Sequence, residues 1–77
     1  MPDLKGIFAE VLELDPSSID DETSPENTPE WDSTAAMQLV VAIEAAYPVR
    51  LSTSEMMKMR SVGLARDVLL SKGISDA

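Results

Sequence analysis

Leu4, Ile7, Phe8, Val11, Leu12 and Leu14 recur at the spacing of one helical face, and Asp3 is placed to cap the start, so the pattern predicts a first helix from about Asp3 to Leu14. Pro16, Pro25 and Pro29 then punctuate a stretch rich in serine, aspartate, threonine and asparagine, residue types whose side chains offer the backbone turns instead of a helix ladder. Residues 15 to about 31 therefore read as a long ordered loop with Ile19 as its apolar anchor. A connection of this length is uncommon in a compact domain and points to function.

The next segment, from Ser33 to about Tyr47, holds no glycine or proline. Ala36, Leu39, Val40, Ile43 and Tyr47 form one stripe along it, which predicts the longest helix. Pro48 ends it, because proline restricts the residue before it and lacks the amide hydrogen a continuing helix needs. Ser52 with Glu55 reads as a capping box, with Leu51 against Met56 as a hydrophobic staple, and predicts a short third helix ending near Met59. Ser61 can cap a last helix that turns Val62, Ala65, Val68 and Leu69 inward, and Gly73 stands where such a helix ends. The expected fold is all-α: a small four-helix bundle of three longer helices and one short one, with a long first loop.

Size and composition narrow this further. The chain of 77 residues fits a single domain spanning residues 1–77. It has no cysteine and no histidine, so neither a disulfide nor the usual zinc ligands support the fold, and packed apolar side chains must do so. The same absence removes most ways of activating a nucleophile or moving a proton near neutral pH, and the chain reads as a non-enzyme. The first residues, Met1 to Lys5, lack the basic start and apolar run of a signal peptide, and no later run approaches a membrane span. The expectation is a soluble cytoplasmic monomer.

The net charge of −8 is unevenly spread. Residues 1–49 hold eleven acids against Lys5, a balance of −10, whereas residues 50–77 hold five basic residues against three acids, a balance of +2. A carboxylate-rich surface repels phosphate backbones and anionic lipids, so nucleic acid and membrane are poor partners, while basic patches on other proteins are attracted. An acidic exterior also serves solubility alone. Asp20, Asp21 and Glu22 are adjacent in an open loop, which suits a solvated face rather than catalysis. The segment Asp15 to Glu26 lacks the alternating carboxylates and turn glycine of a calcium loop, so a metal-binding regulator is the weakest reading.

Ser33 follows Asp32 where the polar loop meets the start of the longest helix. Unpaired amides and the helix dipole favour a negative group there, and a phosphate ester on that hydroxyl would sit in a favourable field. Position alone favours the plainer reading of Asp32 or Ser33 as an N-cap, among the commonest uses of these residues. The run from Asp32-Ser33-Thr34 to Ile43-Glu44 resembles the Asp-Ser-Leu signature of acyl carrier proteins and the helix that follows it. The likeness continues through Phe8, Val11 and Leu12, the acidic loop, the segment Leu51 to Met59 and the pair Ser61-Val62.

That resemblance implies a carrier of acyl groups, held as thioesters on a 4′-phosphopantetheine arm attached to Ser33, with Asp32 as the flanking motif residue. It implies a separate phosphopantetheinyl transferase, and acyl-loading and acyl-transfer enzymes with basic docking patches, in fatty acid biosynthesis, polyketide synthesis or another acyl pathway. Thr34, Met37, Gln38, Val41 and Glu44 are left facing outward near Ser33 as the partner-binding face. Two readings of Met37 and Val41 stand: a docking face, or further core of a tight bundle. Met56, Met57 and Met59 likewise read as an adaptable wall or as core filling. Thr34 stands where the family usually has leucine, and Ala35, Gln38, Ala45 and Ala46 at positions often acidic, which points to a specialised pathway. The alternatives are an aminoacyl or peptidyl carrier, and an unmodified helical interaction module.

Overall fold

The structure, a computed structural model, describes residues 3–74. Met1 and Pro2, the start of the segment read above for a signal peptide, lie outside them. Helix α1 spans Leu4–Leu12, α2 Ser33–Ala46, α3 Thr53–Lys58 and α4 Val62–Ser71, with a 3-10 turn at Pro16–Ser18. The four-helix architecture with one short member is the one the periodicity predicts. α1 packs on α2 and α4, and α3 packs on α4.

The helix starts follow the capping chemistry of the sequence. Asp3 accepts the Gly6 amide, Ser52 and Glu55 form the reciprocal capping box, and Ser61 accepts the Leu64 amide. The ends differ more. α1 stops two residues short of Leu14, because Glu13 turns left-handed at φ 58° and the Leu14 amide bonds back to the Ala9 carbonyl at 2.9 Å. Gly73 does close α4, at φ 91°.

The core is built around Leu4, Phe8, Ile19, Leu39, Ile43 and Leu69, all fully buried. On α2 the innermost line is Ala35, Leu39 and Ile43, while Ala36 and Val40, expected inside, are only half-buried. The stripe is thus rotated so that Ala36 and Val40 border a cleft toward α3. Ala35 is packed in the core, so the missing acid there is a packing requirement and not a weakened recognition surface. On α1, Ala9 is buried and Val11 half-buried.

The long loop is ordered by its own polar side chains. Asp15 accepts the Ser17 amide, the Thr23 hydroxyl accepts the Asp20 amide, and Asn27 bonds both Glu22 and Ser24. Ile19 anchors it in the core, as expected, and Trp31 packs a tilted ring on Phe8 at 5.0 Å between centroids. The loop is latched to α4 by two backbone bonds of 3.0 Å, Val62 N–H to Thr23 and Gly63 N–H to Asp21.

Candidate functional site

The loop delivers Trp31 into the core and then turns outward, which sets Asp32 and Ser33 at the solvent-facing start of α2. Asp32 is the N-cap: its backbone is extended and its Oδ1 accepts the Ala35 amide at 2.9 Å. Ser33 is the first helical residue, and its side chain is exposed. Among the described residues no hydrogen bond engages the Ser33 hydroxyl. Capping therefore falls to Asp32, and Ser33 is left open to an incoming reagent.

Two adjoining clefts lie at this end of α2, and Ser33 lines the first of them. One, of about 430 Å³, is lined by Ser33 and Asp32 together with Trp31, Met57 and Arg60. The other, of about 230 Å³, runs between α2 and α3 and is walled by Trp31, Val40, Met56 and Met59. Met59 is buried and Met57 is 72% exposed, so the methionines divide: one fills core, and the others shape an outer wall. A thioether wall is soft and polarizable, which suits uncharged chains of varied shape.

Of the outward residues expected on α2, Thr34, Met37, Gln38 and Val41 are exposed, Met37 at 74% and Val41 at 67%. The reading of Met37 and Val41 as core is thereby excluded. Glu44 differs: it is half-buried, and its carboxylate accepts the Leu51 amide at 2.8 Å, which ties the end of α2 to the approach of α3.

Electrostatics around the site are set by loop and α4 together. Arg60 pairs with Glu26, and Arg66 with Asp21, across the junction. The Arg60 guanidinium holds the Glu26 carboxyl below the usual carboxylate range. The Ser52 amide, with Lys72 second, does the same for Glu55, whose carboxylate lies 2.9 Å from the Lys72 ammonium. Trp31 and Arg60 were not singled out for the site from sequence. A lone tryptophan directly before Asp32 was the available signal for the first, and none marked Arg60.

Residues 2–65 match the sequence profile of the phosphopantetheine attachment site family. This chain belongs to that family of acyl-carrier-type proteins. No curated relative matches the chain. The solution NMR structure of the holo acyl carrier protein from Geobacter metallireducens is similar over the whole fold: 32% identity, a TM-score of 0.78, and coverage of 94% of this chain and 86% of that one. The cofactor of such a carrier is covalently attached 4′-phosphopantetheine. The residues present fit it: an unengaged hydroxyl for a phosphodiester, a cation nearby, and apolar walls for an uncharged arm. No helix among the described residues is long and apolar enough to cross a membrane.

Proposed function

We propose that Ser33 is the attachment residue and that residues 1–77 act as one acyl carrier domain, monomeric and cytoplasmic, modified by a separate phosphopantetheinyl transferase. The observation that carries this is the exposed Ser33 side chain at the first position of α2, with capping left to Asp32. In the reaction Ser33 Oγ attacks the phosphorus of coenzyme A that bears pantetheine. The bond to the adenosine 3′,5′-bisphosphate moiety breaks and the electron pair leaves with it, while the serine proton passes to a base on the transferase. Once bound, the cofactor supplies the thiol on which an acyl group is held as a thioester.

Thr34, Met37, Gln38 and Val41 form the face that partner enzymes meet, with the acids of the loop and Asp32 drawing in basic docking patches. α2 carries Glu44 as its sole acid, and that carboxylate is engaged by Leu51. Such a weakly charged helix supports service in a specialised acyl pathway with its own loading and transfer enzymes, rather than in ordinary fatty acid biosynthesis.

Intact mass after incubation with coenzyme A and a broad-specificity transferase tests the assignment. A gain of one phosphopantetheine is expected for the wild-type chain and none for Ser33→Ala. No gain in the wild type would favour the unmodified interaction module, and a gain that survives the substitution would move the attachment elsewhere.

A further inference from the structure

We infer that Arg60, steadied by Glu26, is a binding residue for the phosphodiester at Ser33; the inference rests on the assignment of Ser33 above. Ser33 and Arg60 line the same cleft of about 430 Å³, in which Arg60 is the only basic side chain among the described residues. The two residues reach it from different elements, Ser33 from the start of α2 and Arg60 from the connection between α3 and α4.

Chemistry at Ser33 calls for such a group. The phosphodiester adds a negative charge directly beside the Asp32 carboxylate, and that carboxylate already occupies the Ala35 amide, one of the donors an anion at this helix start would otherwise use. The next charge needs a cation, and Lys would supply only a point charge, whereas a guanidinium offers five N–H donors in a planar fork matched to phosphate oxygens. Glu26 accepts from Nη2 alone. The remaining N–H groups of Arg60 are thus available while the side chain stays held by the loop. Arg60 is 66% exposed, so nothing packed has to move for it to turn toward the ester. Glu26 then acts as a positioning residue: it limits the rotamers of a long side chain and so lowers the entropy lost when the phosphate is bound.

The test loads the wild-type chain, Arg60→Gln and Arg60→Lys with phosphopantetheine, verifies each by intact mass, and records phosphorus-31 spectra and arginine Nε–Hε resonances before and after loading. In the wild type the Arg60 Nε–Hε resonance should shift on loading while that of Arg50 stays in place. The phosphorus resonance should be displaced in Arg60→Gln and return part-way in Arg60→Lys, which keeps the charge but not the fork. An Arg60 resonance that does not move on loading, or a phosphorus resonance identical in Arg60→Gln and wild type, overturns the inference. A merely structural Arg60–Glu26 pair would disturb the Glu26 amide in Arg60→Gln and leave the phosphorus unchanged. Wild-type chain that gains no mass overturns the assignment of Ser33 and this inference with it; a mass gain without a response at Arg60 overturns this inference alone. The wild-type comparison before and after loading decides the matter even where a variant folds poorly.

Discussion

At the start of α2 two neighbouring polar residues divide two tasks. Asp32 satisfies the helix amide, and Ser33, one position on, is relieved of capping and turned to solvent. A serine with no structural duty at a helix start can be changed without loss of fold, which is why Ser33→Ala is a clean test. Val41 offers the complementary case. It stands eight residues beyond Ser33 on α2 and is 67% exposed, so an aspartate there meets water and not core. Val41→Asp should keep the helical circular dichroism of the wild type and raise the KM for transferase modification about tenfold, equivalent to about 1.4 kcal/mol of partner binding. Lost helicity would mean that the charge disturbs α2 itself and overturn the expectation of an intact fold; unchanged kinetics would remove Val41 from the docking face.

The loop joins elements alongside the helix-on-helix packing of α1 with α2 and α4. The loop has no regular ladder, yet its polar side chains fold it into successive turns, and the first amides of α4 donate to its carbonyls. That latch explains Gly63. A Cβ at this position would stand 3.2 Å from both the Asp21 carbonyl oxygen and the Asp21 Cβ, and the carbonyl is itself held by the Gly63 amide. Alanine is the better helix former by about 1 kcal/mol, but the contact is with bonded backbone, which yields less readily than a side-chain tip. Gly63→Ala should therefore lower stability by about 1 kcal/mol, read as a reduced urea midpoint, and speed hydrogen exchange at Val62 and residue 63. A stabilised variant would show that the loop gives way freely.

Across the whole molecule the charge asymmetry acquires a cause. Acids of the first half meet bases of the second at Asp21–Arg66 and Glu26–Arg60, so part of the imbalance is attraction across the loop–α4 junction. Such exposed pairs contribute little each, and their effect is on placement more than on stability. They do leave a signature in acid. Glu26, with Arg60 as the main cause, and Glu55, with the Ser52 amide first, titrate below the ordinary glutamate value of about 4.3. A carboxyl lowered in the folded state contributes stability that is whole above the unfolded value and is lost as pH falls through the folded one. The urea midpoint should accordingly drop as pH falls through and below the ordinary glutamate range. In Arg60→Gln, where Glu26 returns toward its ordinary value, that drop should be smaller. An equal drop in both chains would mean that Arg60 does not shift Glu26 in solution.

The sequence by itself determined the four helices, their caps at Asp3, Ser52 and Ser61, and the stop at Pro48, because each follows from side chains within one turn of the backbone, while the choice of Asp32 over Ser33 as the cap of α2 came from the structure. Local signals did not reach the left-handed turn at Glu13 that shortens α1, since a non-glycine residue carries no mark of it, nor the rotation of α2 that puts Ala35 inside and Ala36 at the cleft edge. Glu44 looked like surface and proved to be a tie to Leu51, and Arg60 gained its place beside Ser33 only when α3 and α4 were brought against the loop. Tertiary structure decided these, because helical periodicity defines a face to within a broad arc, and which part of that arc is covered depends on elements distant along the chain.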